Sequence, residues 1–291
     1  MTSVSFPVVP DHVLSQEEIN HVIALISHEV TPFDRCHFIC EYFLDRLYQG
    51  GCLGEGDGAD IDQMPLYRTD CFDCVTWVNT VLALMQCYDL ASFEEAMRLV
   101  NYHEGDTCYI KRRHIMTTQW NPWNESRGVL SDVTEVLAED MGCDVQYATA
   151  RIDYGAWLRA RSLADVRLQD PDSRDEALDR LHELHQAADA IDSELSQLPF
   201  LPLSSSSLDA IHDSFPEIAV VEWVRSPWPI AHLIGTDLNV QHVGLALKTD
   251  DDILFYHAAW NNSIQRLSWK EMMARCERIG VSGVHVHSVQ V

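Results

Sequence analysis

At Glu217 the sequence changes its period, and that change limits the fold more than any single residue does. Before it, apolar residues recur at helical spacing. After it come runs of β-formers at 217–225, 239–247, 253–260 and 282–291, broken only by a helix that Ser268 and Glu271 cap. Helices first and strands afterwards is the order of an α+β domain, with a helical N-terminal half packed on a C-terminal antiparallel sheet. Alternating βαβ units are excluded. The 291 residues, 46% of them hydrophobic, suffice for one domain over 1–291, and a helical insertion is expected at about 150–207.

Within the helical half, Ser15 with Glu18 predicts a helix through Ile19, Val22 and Ile26. Thr31-Pro32 predicts a second through Ile39, Phe43 and Leu47 that stops at Gly50-Gly51. A loop rich in Gly and Asp, 50–66, leads to a third, in which Val75, Val78, Leu82 and Met85 share a face and Asp73 is the N-cap. Ser92 with Glu95, and Ser131, open two more. Ser173 with Glu176 starts a long amphipathic helix over 173–198, followed by a Pro- and Ser-rich connector at 199–207.

The third helix carries the first chemical feature. Cys74 stands at its first position, where free N–H groups and the positive dipole end lower a thiol pKa from about 8.5 toward neutrality. The second lies in the strands. Along Asn239–Leu247, His242 shares a face with Val240, Gly244 and Ala246, and Ile253–Trp260 returns after a turn at Lys248–Asp252. A turn centred on Thr249-Asp250 pairs residues whose numbers sum to 499, which sets His257 beside His242. A thiol at a helix start, a histidine on a strand and a polar residue orienting it make the nucleophile, base and orienter set of thiol hydrolases. Tyr48 and Tyr67, at the two ends of the Gly-rich loop, are candidates for a further hydrogen bond. Trp120 and Trp123, after Lys111-Arg112-Arg113, offer an apolar face and a positive charge to a ligand.

Composition limits partners. Twenty Lys plus Arg against 45 Asp plus Glu give a net charge of −25, which repels nucleic acid and anionic membranes. No apolar run approaches the roughly 20 residues that cross a bilayer, and the first residues lack an export signal. Nine cysteines, an odd number in a chain of this length, predict mostly reduced, buried thiols.

Several segments together carry a resemblance: Asp73-Cys74-Val75-Thr76-Trp77-Val78, then Arg113-His114-Ile115-Met116 with Trp120, then Asp132-Val133-Thr134, and Asp237 through Ala246. In this order and spacing the chain resembles the N-acetylmuramoyl-L-alanine amidase-like family (domain of unknown function 1460), a branch of the NlpC/P60 cysteine hydrolases with a papain-like fold. The resemblance implies hydrolysis of the amide joining N-acetylmuramic acid to L-alanine in cell-wall fragments. It implies Cys74 as nucleophile, His242 as general base, His257 as third polar member, and Arg113, His114 and Trp120 lining the substrate cleft. No cofactor is implied, a muramyl peptide is the expected partner, and the family suggests an extracytoplasmic setting. Two departures stand out: Arg113 where relatives carry Asn before the His, and Pro216-Glu217 where a strand usually opens with Gly-Asp.

Other readings keep part of this pattern. Cys71-Phe72-Asp73-Cys74 is a C-x-x-C, half of a zinc site or a redox dithiol, although the His182/His185 and His285/His287 pairs read as solvated faces. The same fold also suits a muramyl-peptide-binding module, a stem-peptide endopeptidase or an acyltransferase.

Overall fold

The structure, a computed structural model, describes residues 12–169 and 174–290. Helix α1 spans His12–Ile26 and buries Ile19, Val22, Ile23 and Ile26. It is already formed at His12, so Ser15 lies inside it, buried beside Thr69, rather than at its start. Helix α2, Pro32–Tyr42, begins as expected, with the Thr31 hydroxyl accepting the Asp34 N–H at 3.0 Å. It ends early. Asp45 turns the chain with φ of 67°, and Leu47–Tyr48 forms β1, parallel to β2 at Cys71–Phe72. The reason lies in backbone satisfaction: Asp45 and Tyr48 give their N–H groups to Ile264 and Asn262 carbonyls, at 3.0 and 2.8 Å, partners that a continued helix cannot offer.

Helix α3, Cys74–Gln86, is the buried element its composition demands, with Thr76 through Met85 all out of water. Helix α4, Leu90–Asn101, starts one turn before the predicted Ser92 because Asp89 and Ser92 cap each other reciprocally. A π-helical turn at Met116–Trp120 leads into α5, Asn121–Ser126, and then β3, Leu130–Asp132. Ser131 is therefore a strand residue. Helix α6, Thr134–Asp140, opens instead with Asp132 Oδ1 accepting the Thr134 N–H at 2.9 Å.

The insertion is not purely helical. Strand β4, Gln146–Ile152, precedes α7, Tyr154–Arg159, and α8, Arg174–Ala188, and β5 follows at Glu194–Pro202. The single helix expected over 173–198 thus stops at Ala188, and its proposed cap Ser173 lies outside the described residues. Leu195 and Leu198 are three apart, which imitates a helix. Burial of Ser196, Leu198 and Phe200 shows period two, and β4 supplies the partners in a ladder with Ala148 opposite Leu198. The predicted connector at 199–207 is strand through Pro202, then a 3₁₀ turn at Leu203–Ser205.

Helix α9 (Leu208–Ile211), β6 (Ile218–Val224), α10 (Ala231–Ile234), β7 (Val240–Lys248), β8 (Ile253–Ala258), β9 (Ile264–Ser268), α11 (Trp269–Ile279) and β10 (Gly283–Val289) complete the chain. The expected α+β arrangement is present. The main sheet runs β4-β5-β10-β6-β7-β8-β9, with β3 added alongside β10, and its pairings are antiparallel.

Alternation decides what each face meets. Val220, Val243, Leu245 and Leu247 join the core of α1–α4, while Ala219, Val221, Trp223, Ala246 and Phe255 join that of α6, α9 and α11. His285 and His287 on β10 are 2% and 0% exposed, correcting the solvated reading of that pair. His285 Nδ1 bonds the Pro199 carbonyl at 2.9 Å, and His287 Nε2 reaches Glu125 at 2.8 Å. All nine cysteines are free thiols.

Candidate active site

Asp73 fixes the start of α3 twice over. Its Oδ1 accepts the Thr76 N–H at 2.8 Å while its own N–H reaches Thr76 Oγ1 at 2.8 Å, and its Oδ2 accepts the Gly51 N–H at 3.1 Å. The cap therefore holds both the helix and the first turn of the Gly-rich loop. Cys74 follows at N1, half-buried, its sulfur facing the N–H groups of Val243, Val75 and Cys74 itself. Those donors do not prevail. Burial and the neighbouring Asp73 carboxylate push the thiol up to about 12, where the helix position alone predicted a shift toward neutrality. Cys71 faces elsewhere, toward Gln49 Oε1 at 3.5 Å, so the two sulfurs of the C-x-x-C have different partners. Among the described residues no three His, Cys, Asp or Glu side chains are placed to hold a metal ion.

The two histidines meet. His242 Nε2 and His257 Nδ1 are 2.7 Å apart, with the rings nearly perpendicular at 86°. The register behind this differs from the expected one. Leu245 faces Tyr256 and Lys248 faces Ile253, so partner numbers sum to 501, because the turn is Thr249–Asp252, closed by a 2.8 Å bond from Thr249 N–H to the Asp252 carbonyl. A shift of two keeps both rings on one face, now as a diagonal pair rather than a direct one. Gly244 permits this closeness: a Cβ there would lie 2.6 Å from the Tyr256 carbonyl oxygen and 2.5 Å from the Phe255 ring. Trp223 covers both imidazoles, with centroids 4.5 Å and 5.5 Å away. There, burial holds His242 down to about 3 and His257 to about 2, so both are neutral. Helix α3 packs against β7, and Val243, whose N–H faces the Cys74 sulfur, is the residue after His242. Among the described residues His242 hydrogen-bonds His257 and not Cys74.

A cleft of about 470 Å³ opens over Cys74, lined by Tyr48, Asp73, Arg113, His114, Tyr109 and Trp157, and further by Arg112, Arg161 and Arg167. In a chain of net charge −25, four arginines at one cavity is a local reversal of sign. Three are neutralised. Arg112 stands 3.5 Å from Glu55 and 3.6 Å from Asp62, Arg167 pairs with Asp62 and donates to the Leu53 carbonyl, and Arg161 faces Asp165 at 3.4 Å. Arg113 has no carboxylate partner among the described residues; it bonds His103 Nδ1 at 2.6 Å and lies 5.2 Å over Trp123. His114 donates through Nε2 to the Tyr109 carbonyl at 2.9 Å and stacks on Trp157 at 4.5 Å, its pKa lowered first by burial and then by Arg112. Tyr48 keeps its phenolic proton, since burial and the nearby Cys74 raise its pKa.

Two expected lining residues lie elsewhere. Trp120 is fully buried and donates from Nε1 to Asn79 Oδ1 at 2.8 Å, so it braces α3 from within the core. Tyr67 is 1% exposed, packs edge-on against Phe93 and donates to Glu94 at 2.9 Å, away from the cleft.

A family model described as AmiA-like, N-acetylmuramoyl-L-alanine amidase-like, matches residues 38–278. The chain belongs to the AmiA-like family. Among solved structures, a Legionella pneumophila protein of DUF1460 superposes on this AmiA-like chain with a TM-score of 0.89 at 29% identity, covering 96% of each. An N-acetylmuramoyl-L-alanine amidase from Bacteroides uniformis gives 0.59 at 17% identity, over 89% of this chain and 99% of that one. A protein described as a putative xylanase from Bacteroides fragilis gives 0.58 at 17%, over 87% and 100%. No curated protein matches the sequence.

The AmiA-like cleft also uses residues that sequence reasoning passed over. Trp157, Arg161 and Arg167 come from the insertion, more than 80 residues from Cys74, and only the Arg-Ala-Arg run at 159–161 marks them locally.

Proposed function

We propose that the chain is a cysteine amidase of the NlpC/P60, papain-like kind that cleaves the N-acetylmuramoyl–L-alanine bond of peptidoglycan fragments through a thioester. The observation that carries this reading is the 2.7 Å His242–His257 pair on β7 and β8, with His242 next in sequence to Val243, whose N–H faces the Cys74 sulfur; neither histidine is among the residues lining the cleft over Cys74. His242 meets His257 through Nε2, so Nδ1 is the nitrogen that would take the thiol proton once it is unprotonated. No thiol–imidazole bond is present among the described residues, and the reading requires that one forms when substrate binds and excludes water.

In the reaction the Cys74 proton passes to His242 Nδ1, and the thiolate attacks the lactyl carbonyl carbon. The carbonyl oxygen takes the charge and is held by the Cys74 N–H, with the Tyr48 hydroxyl as second donor. His242 returns its proton to the alanine nitrogen as the C–N bond breaks. Water then attacks the thioester, giving its proton to His242, and the acid leaves as the thiol re-forms. During these steps His257 Nδ1 accepts the Nε2 proton of His242, which fixes the ring. Arg113, the cleft cation without a carboxylate, binds a carboxylate of the stem peptide while His114 and Trp157 form the apolar wall.

The test is incubation with muramyl peptides and mass spectrometry of the products. Free L-Ala-γ-D-Glu stem peptide is expected from wild type, and none from Cys74→Ala or His242→Ala. Full activity in Cys74→Ala combined with loss in Cys71→Ser overturns the assignment.

A further inference from the structure

Arg275 on α11 is a cation that this acidic protein leaves without an anion. Among the described residues no carboxylate lies within 4 Å of it; instead Nη1 lies 3.2 Å from Gln265 Oε1 and 3.4 Å from His257 Nε2. The other groups facing the histidine pair are neutral: Trp223 from β6, Phe255 from β8 and Gln265 from β9. Near Arg275 the remaining titratable groups are Arg278 and Cys276, on its own helix.

A guanidinium only donates. His257 Nε2 must therefore present a lone pair to Arg275, and the single proton of neutral His257 resides on Nδ1. That proton has one recipient, His242 Nε2 at 2.7 Å. Since Nε2 of His242 is then an acceptor, its own proton sits on Nδ1. Neither nitrogen of His242 is left to receive a proton from Cys74.

Resting on the cysteine-amidase reading, we propose that Arg275 is a positioning residue that holds the histidine pair in the tautomer unable to ionise Cys74, and that catalysis requires its Nη1 to release His257 Nε2 while keeping Gln265 Oε1. When His257 Nε2 is released, His242 loses its Nδ1 proton to water, the His257 Nδ1 proton moves to His242 Nε2, and His257 Nε2 takes a proton from water. Protons and charge balance, and His242 Nδ1 is vacant to accept the thiol proton. Burial first lowers the pKa of both rings, and the Arg275 cation adds to it in each.

The test needs no substrate, so it stands apart from the amide assignment. Iodoacetamide alkylation of Cys74, followed by mass spectrometry of its peptide across pH, reads thiolate formation. Arg275→Met is expected to alkylate about tenfold faster near neutrality, equivalent to a profile moved one pH unit down. Arg275→Lys, which keeps a donor-only cation, is expected to follow wild type within about twofold. In parallel, two-bond ¹⁵N–¹H spectra of histidine-labelled wild type report the tautomers directly, whether or not the Met variant folds. A proton on His242 Nδ1 supports the proposal. A proton on His242 Nε2, or an Arg275→Met profile that superposes on wild type or moves to higher pH, overturns it.

Discussion

Replacing Asp73 separates two effects that the structure joins in one side chain. As N-cap, its carboxylate accepts from Thr76 N–H and from Gly51 N–H, at 2.8 and 3.1 Å; as an anion beside Cys74, it is the second-largest cause of the raised thiol pKa after burial. Asp73→Ala removes the cap, worth about 1 kcal/mol, and frees the Gly51 N–H, adding about 1 kcal/mol more. A loss of roughly 2 kcal/mol in unfolding free energy is expected. Asp73→Asn keeps one acceptor oxygen for the Thr76 N–H but turns its NH2 to the Gly51 N–H, so it keeps the cap, loses the Gly51 bond and costs about 1 kcal/mol. The thiol responds differently. Both variants remove the charge, so both lower the Cys74 pKa, and Cys74 alkylation at a fixed pH near 8 accelerates in each. Urea unfolding and peptide-resolved alkylation read the two properties separately. An Asp73→Ala protein as stable as wild type, or an Asp73→Asn thiol that alkylates more slowly, refutes the reasoning.

Gly244→Ala pushes a methyl into the Tyr256 carbonyl and Phe255 ring, prising β7 from β8; about 1–3 kcal/mol of stability and most activity should be lost together, as chemical denaturation and turnover will show. Trp120→Phe removes the donor to the buried Asn79, so it should cost about 1–3 kcal/mol while leaving KM unchanged, since the indole lies outside the cleft. Arg113→Ala should raise KM for carboxylate-bearing fragments at least about tenfold with stability little altered, and equal KM values would remove Arg113 from substrate recognition. Glu222 is fully buried on β6, and burial lifts its pKa to about 7. A folded value above the unfolded one means that its stabilising contribution is complete below about pH 4.5 and is lost as pH rises through about 7. Glu222→Gln should accordingly gain about 3 kcal/mol over wild type at pH 8 and nothing at pH 4, measured by urea midpoints.

Local physics made the cores of the elements readable, while partners distant in sequence decided their ends. The cap at Asp73, the start at Thr31-Pro32 and the Ser268–Glu271 box depend on residues within one turn, and each stands as expected. Leu47 and Leu195 were assigned by spacing alone. Both went to strands because backbone partners far along the chain, Cys71 and Arg151, claimed them. The histidine pair was legible because strand faces alternate, so an error of two in register still returned the right neighbours. Trp120 and Tyr67 were misplaced for the opposite reason: an aromatic with a polar tip reads alike whether that tip meets a ligand or, as here, Asn79 and Glu94. Arg275 was invisible, since nothing in an exposed-looking helix reveals that its neighbour across space is a histidine.

The insertion is stitched into the domain at several places, among them Val284 opposite Leu201 in the sheet, the Tyr154 hydroxyl on the Ile110 carbonyl, and a bridge between Arg167 and Asp62 at the Gly-rich loop. It therefore behaves as masonry rather than as a door. Trp157, carried by the insertion, and Tyr48, on β1, both line the cleft over Cys74, so what enters depends on the insertion as much as on the helix that bears the sulfur. A homologue with a shorter segment between β4 and β5 would admit longer or branched stems without any change at the sulfur.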